Sequence, residues 1–292
     1  MNILTFDIEE WYLEKVLHGG REVKYRQFDE AFAKVLDELD CIGMKATFFC
    51  VGKLATEFPE VVRTIAARGH EVGCHSNKHI WLNKMTEGLL RDDTKDAIMA
   101  LEDVAGQEVV CFRAPAFSLT QKNTWTINVL ADCGIKNDAS IFPANRDFGG
   151  YKDFPHDTPC IINHEGAQLK EYPISMTTIL GRRMGYSGGG YFRLLPYWLV
   201  DRTMRQREYN ICYFHLADLI AEQKKLMTRS EYEQYFKETG TLKNRLGRFA
   251  KSNIGTGNAY DKLQRLLHAH MFSSIKDADK MIDWERAPKV ML

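Results

Sequence analysis

"NILTFDIEEW" (Asn2–Trp11) runs from an apolar, β-type stretch straight into three carboxylates, Asp7, Glu9 and Glu10. A strand that delivers charge at its C-terminal end suits a parallel α/β protein, whose sites are built at that end of the sheet. The segments that follow repeat the rhythm. "DEAFAKVLDELDCIG" (29–43) reads as a helix stopped by Gly43, "KATFFCVG" (45–52) as a strand, "EFPEVVRTIAARG" (57–69) as a helix ended by Gly69, and "HEVGCH" (70–75) as a strand. A helix over 86–105, a strand "VVCFR" (109–113), a helix over 121–133 stopped by Gly134, and a short strand "GIKND" (134–138) continue it. Residues 139–170 read as an irregular excursion. "EYPISM" (171–176) is strand-like, a helix runs from Pro196 to Arg207, and "NICYFH" (210–215) is the last clear strand.

This alternation predicts βα units on a parallel sheet. About seven strands, with no GxGxxG after the first, point to a distorted (β/α) barrel rather than a dinucleotide-binding sheet. No internal repeat or Pro/Gly/Ser-rich linker divides the chain. Residues 1–292 therefore read as one domain, with the mainly helical 221–292 packed on the barrel.

Composition narrows the function classes. Lys+Arg and Asp+Glu each number 39, giving zero formal net charge, so neither nucleic acid nor an anionic membrane is the expected partner. Seven cysteines without a CxxC pair suit a reducing compartment better than a disulfide framework. The acidic cluster arrives before a signal-peptide core could form, and no apolar run approaches the roughly 20 residues of a membrane span. These features set the expectation of a cytoplasmic protein without a transmembrane segment.

Asp7, His75, Arg113, Asp138 and His215 each fall at the C-terminal end of an expected strand, and in a parallel barrel those ends share one face. "HSNKH" (His75–His79) adds two imidazoles four residues apart, able to meet one metal across a helical turn. Two histidines with a carboxylate form a common catalytic zinc set. HExxH is absent, which removes the metalloprotease reading.

These residues resemble the polysaccharide deacetylases, the NodB-homology carbohydrate esterases of family 4, and more narrowly a cytoplasmic branch with a DxE[DE]W first motif. "TFDIEEW" (5–11) is similar to the first motif, "HSNKH" (75–79) to the second, "FRAPAFS" (112–118) to the third, "DASIFP" (138–143) to the fourth and "CYFHL" (212–216) to the fifth. "SGGGYFRLLP" (187–196) resembles a stretch typical of that branch. The resemblance implies a TIM-like barrel, a single divalent metal and hydrolysis of an N-acetyl group from an amino sugar. Carried onto this sequence, it makes Asp7 the catalytic base, His75 and His79 metal ligands, Arg113 the holder of the base, His215 the general acid, and Asp138 the carboxylate orienting that acid. Many members have a second Asp in the first motif as a ligand, where this chain has Ile8. Because strand side chains alternate, Glu9 shares the face of Asp7 and is the expected replacement, with Glu10 the alternative if the chain turns early.

The implied metal is zinc, with cobalt or nickel also suited to imidazole and carboxylate ligands. Amide hydrolysis would then use the metal to activate water and polarise the carbonyl, Asp7 to take a proton, His215 to give one, and a backbone N–H near Ala116–Phe117 for the oxyanion. Trp11 and Phe117 are expected to stack on a sugar ring, each equally readable as packing, and the resemblance of "SGGGYF" to the branch implies that Tyr191, or else Phe192, borders the sugar site. The expected substrate is an N-acetylated amino sugar in an oligosaccharide or in a lipid- or nucleotide-linked glycan precursor. The alternatives are a hydrolase of another linear or cyclic amide on the same fold, or a catalytically inactive sugar-binding protein.

Overall fold

Alternation along the opening run sorts its side chains into two cores. In the computed structural model, which describes residues 1–146, 149–179, 181–221, 225–236 and 238–292, this run is strand β1 (Asn2–Ile8). Leu4, Phe6 and Ile8 enter a large outer core with the flanking helices. Ile3 enters a smaller inner one with Phe49, Cys111, Phe142, Tyr172, Ile211 and Tyr213. Thr5 and Asp7 share the inner face, as a period of two requires.

The remaining strands are β2 (Thr47–Cys50), β3 (Glu71–Cys74), β4 (Cys111–Phe112), β5 (Asn137–Asp138), β6 (Cys160–His164), β7 (Ala167–Glu171), β8 (Met176–Ile179), β9 (Arg182–Gly185), β10 (Asn210–His215) and β11 (Lys289–Met291). Among the described residues, eight of these join β1 in one nine-stranded sheet, in the order β10-β1-β2-β3-β4-β5-β7-β6-β11, and β8 and β9 form a separate hairpin. The run from β10 to β7 is parallel throughout. The sheet curls: the Ile211 N–H donates to Ser175 Oγ at 2.9 Å, and the Tyr209 hydroxyl donates to the Pro173 carbonyl at 2.9 Å. These bonds join β10 to the chain leaving β7. The architecture is a mostly parallel α/β sheet with flanking helices, the expected class, wrapped into a barrel-like form around the inner core.

Helices cover the outside with apolar stripes. Helix Glu22–Cys41 buries Phe28, Phe32, Val35, Leu36 and Leu39, the helical spacing. Helix Glu87–Ala105 is capped by Thr86 and closed by Gly106 in the left-handed region.

Several expectations change. The expected helix over 57–69 is Pro59–Ala67, opened by Pro59 at its first turn, and a further short helix, Gly52–Glu57, precedes it. The irregular excursion contains the β6–β7 hairpin, turned at Glu165–Gly166 with both residues at positive φ. The "EYPISM" strand instead divides, with Glu171 ending β7 and Met176 opening β8; Pro173, which lacks an N–H, lies between them. The described parts of 221–292 are mostly helical but end in β11 on the sheet edge; positions 147, 148, 222–224 and 237 of the two expected segments lie outside the described residues.

Candidate active site

At the C-terminal end of β1 the chain leaves extended geometry. Asp7 is aligned with His215 of β10 on one side and Phe49 of β2 on the other. Glu9 then precedes helix Glu10–His18. That helix start separates the adjacent carboxylates. Glu9 points to the imidazoles, whereas Glu10 accepts from the Ala217 N–H at 3.0 Å and the Glu9 N–H at 3.3 Å. Burial, offset in part by His215, raises the Glu10 carboxyl to about 7.

Glu9, His75 and His79 bring one potential ligand atom each to within 4.8 Å of one another. His79 Nε2 lies 2.5 Å and His75 Nε2 3.6 Å from Glu9 Oε2. The "HSNKH" segment does not form the expected helical turn. It bends, with Ser76 and His79 both in the left-handed region. Asp93, on helix Glu87–Ala105, holds the bend by accepting from Ser76 Oγ at 2.8 Å and the Asn77 N–H at 2.7 Å. His75 Nδ1 lies 2.8 Å from the Arg113 carbonyl, which can only accept, so Nδ1 carries the proton and the Nε2 lone pair faces Glu9.

This arrangement fits a divalent cation. Glu9 Oε2 is buried and lacks a hydrogen-bond partner among the described residues, although an imidazole lone pair is aimed at it. Such a cluster requires positive charge between its members. Burial pushes the Glu9 carboxyl up, but the positive charges of His79 and His215 outweigh it and hold it well below the carboxylate range.

Asp7 stands beside this cluster, clamped from below. Arg113 is fully buried and donates through Nη1 to Asp7 Oδ1 at 2.8 Å and Thr5 Oγ1 at 2.7 Å, and through Nε to the Ala139 carbonyl at 3.1 Å. Its guanidinium stacks 4.3 Å above the Phe49 ring. Burial raises the Asp7 carboxyl, but Arg113, then His75 and His215, outweigh it, so Asp7 rests charged. His215 faces the cluster from the other side, with Nε2 3.8 Å from both Asp7 Oδ2 and Glu9 Oε1. Burial lowers the imidazole, yet Glu9, Asp218 and Asp7 raise it to about 10.

Asp138 does not orient His215. It pairs in register with Phe112 and Glu171, and Phe112 belongs to the outer core, so Asp138 projects to the opposite face from Arg113, one residue after Phe112. There it accepts from Ser140 Oγ at 2.5 Å and meets Glu171, whose carboxyl burial and the Asp138 charge push well above the ordinary range. Asp218 takes the orienting place, with Oδ2 3.2 Å from His215 Nδ1. Its sequence signal was the N3 position after a strand end, where a carboxylate reaches back to the helix start.

Two aromatic expectations are also corrected. Trp11 is buried edge-on between Phe28 and Phe32, with its indole N–H on Asp29. Phe117 is buried against Phe142 and Tyr213, too enclosed to stack on a sugar. Ala116 and Phe117 are successive non-glycine residues at positive φ. This strained turn is held by the Phe117 N–H on the Ala114 carbonyl and the Gly150 N–H on the Phe117 carbonyl. Gly149 packs so closely beneath it that a Cβ there would lie 2.3 Å from the Phe117 carbonyl oxygen. Tyr191, half-buried, stacks on Phe142.

Residues 3–137 match the polysaccharide deacetylase family model, and residues 139–280 match a domain of unknown function, DUF3473. Residues 3–137 thus carry a polysaccharide deacetylase domain. The chain is 38% identical over 139 residues to a peptidoglycan-N-acetylglucosamine deacetylase of Bacillus cereus, covering 43% of this chain and 50% of that protein. It is 31% identical over 118 residues to a chitooligosaccharide deacetylase of Bradyrhizobium sp., covering 39% and 51%. The chain thus spans about half the length of these relatives. A crystal structure from Mycobacterium smegmatis, assigned to the polysaccharide deacetylases, aligns over 100% of this chain and 92% of its own at 19% identity and a TM-score of 0.64, a likeness of fold.

Proposed function

We propose that this protein is a metal-dependent hydrolase that removes the N-acetyl group from an amino sugar of a glycan or glycan precursor. The observation that carries the reading is the position of the Glu9–His75–His79 cluster between a clamped carboxylate, Asp7, and an oriented imidazole, His215. A divalent metal held there, zinc foremost, with cobalt or nickel also suited to the donors, supplies Lewis-acid polarisation of the acetyl carbonyl. Asp7, charged at rest, takes the proton of the attacking water. His215, protonated at Nε2, gives a proton to the departing sugar nitrogen. Arg113 keeps Asp7 ionised and fixed, and the Ala116 N–H is assigned to the oxyanion, since the Phe117 N–H is already engaged. Tyr191 is the aromatic assigned to the sugar. The D-I-E-E-W first motif, with Glu9 in the ligand role, supports membership of the DxE[DE]W branch.

We also assign residues 1–292 to a single domain, because both matched segments contribute strands to one sheet. Seven free cysteines support a reducing, cytoplasmic setting and hence a precursor as substrate. No described helix is long and apolar enough to cross a membrane.

The test is acetate release by the zinc- or cobalt-loaded protein from chitooligosaccharides, peptidoglycan fragments and lipid- and nucleotide-linked N-acetyl amino sugars, with His75→Ala alongside. Release from one class, lost in the variant, is expected. Silence across the panel with one metal bound per chain would overturn the reading in favour of another amide or a binding role. The ligand assignment carries its own expectation. Glu9→Gln lowers metal occupancy by at least about tenfold while Glu10→Gln leaves it within about twofold, measured by competition against a chromophoric chelator. The reverse order would transfer the ligand role to Glu10.

A further inference from the structure

The deacetylase match ends at residue 137, yet the imidazole assigned to the leaving group, His215, and its partner Asp218 both lie in the segment of unknown function. That segment also contains "SGGGYFRLLP", whose arginine the mechanism above leaves unused. Arg193, on helix Gly189–Leu194, is buried, with Nε 3.4 Å from Asp218 Oδ1. Its other two nitrogens are spent on backbone: Nη1 donates to the Ser252 carbonyl at 2.9 Å and Nη2 to the Lys251 carbonyl at 3.1 Å. The helix carrying it is pinned in turn by the buried Lys262, whose Nζ donates to the carbonyls of Phe192 and Leu195 on either side.

We infer that Arg193 is a positioning residue for His215, acting through Asp218, and that residues 139–280 build the proton-donating half of the active site. The inference rests on the reading of His215 as the acid. A carboxylate can hold an imidazole in one tautomer only if its own rotamer is fixed and its charge is kept. Arg193 serves both: two of its nitrogens grip carbonyls of helix Leu242–Asn253 and fix the guanidinium, whose charge then lies against Asp218 Oδ1, with Nε at 3.4 Å as an ion pair and not a hydrogen bond. The second carboxylate oxygen, Oδ2, accepts from the His215 backbone N–H and faces Nδ1 of the same residue, each at 3.2 Å, and Nε2 is thereby directed toward the space shared with Asp7 and Glu9. The site is then built of two like halves. Arg113 clamps Asp7 on the water side, and Arg193 clamps the carboxylate behind His215 on the leaving-group side. Lysine cannot hold two backbone carbonyls and keep a planar charge against Asp218 at once, which explains why an arginine suits this buried place.

The test uses the full chain, zinc-loaded, with Arg193→Met, Arg193→Lys, Asp218→Asn and His215→Ala. Two readouts are taken: turnover of the N-acetyl amino sugar that gives acetate release, and the low-field proton resonance of His215 Nδ1–H, identified by its loss in His215→Ala. Arg193→Met is expected to lower kcat about 10- to 100-fold with KM nearly unchanged, the usual effect of losing an orienting partner, and to broaden or abolish the resonance. Asp218→Asn does the same, and combining the two adds little. Arg193→Lys, which keeps the charge and the fold, recovers part of both. A fall in kcat with the resonance intact, an unchanged kcat, or a wild-type protein lacking the resonance would each overturn the inference. Full turnover in His215→Ala would instead show that the reading of His215 had failed, whatever Arg193 does.

Discussion

Arg113→Met is expected to destabilise the protein by about 3–5 kcal/mol, the cost of breaking a buried ion pair from one side. The guanidinium is fully enclosed and touches Asp7, Thr5, the Ala139 carbonyl and the Phe49 ring at once. Methionine fills much of the volume but leaves Asp7 as a buried charge facing an apolar side chain. Adding Asp7→Asn to this variant should therefore restore part of the stability, because the orphaned charge disappears with it. Urea unfolding of the four proteins of this cycle measures the effect. A double variant as unstable as the sum of the singles would show that Arg113 acts through packing rather than through Asp7.

Asp7→Asn is expected to reduce acetate release by about 10²–10⁴-fold, the typical contribution of a positioned proton acceptor, while metal remains bound through Glu9, His75 and His79. The substitution is isosteric and preserves the acceptor oxygen that Arg113 holds. Turnover is the readout, with metal content measured on the same sample, and an active Asp7→Asn protein would remove Asp7 from the role of base. The same change has a signature in stability. The native carboxyl of Asp7 is lowered, chiefly because Arg113 outweighs burial. A depressed native pKa contributes stability that is fully present above the ordinary Asp value and is lost as pH falls through the native one. Acid unfolding of the metal-free wild type should accordingly begin at a higher pH than in a protein with a still stronger clamp. In Asp7→Asn this contribution to the pH dependence disappears.

Much of this site was legible because short-range rules decide it. Asp7, His75, Arg113 and His215 lie at strand ends, and strand ends follow from apolar runs cut by polar residues. The seven-strand parallel run followed from the alternation of runs and helical patterns. Asp138 also lies at a strand end, but the face it occupies depends on register with Phe112, which no single run of sequence specifies. Trp11 and Phe117 have the composition of sugar platforms, and only the packing of distant Phe28, Phe32 and Tyr213 encloses them. Asp93, Asp218 and Arg193 were missed for a related reason. They act through other side chains, so their value depends on contacts across 16 to 59 positions of sequence or on a helix start four residues long. The β6–β7 hairpin did leave a signal, Glu165–Gly166 between the apolar Cys160–Ile162 and the alternating Ala167–Glu171, which the irregular composition around it masked.

The order of the sheet bears on how this chain can be cut. Strand β10 lies beside β1 over six aligned pairs, from Asn2 with Asn210 to Asp7 with His215. The boundary between the two matched segments therefore runs through a continuous ladder. A fragment stopping at residue 137 would bear β1 as a raw, apolar edge, inviting self-association, and would lack His215 and Asp218. Two separately produced halves, by contrast, carry complementary edges, and mixing them should rebuild the single sheet. The seam between the matches is thus a place to reassemble this molecule, not a place to take it apart.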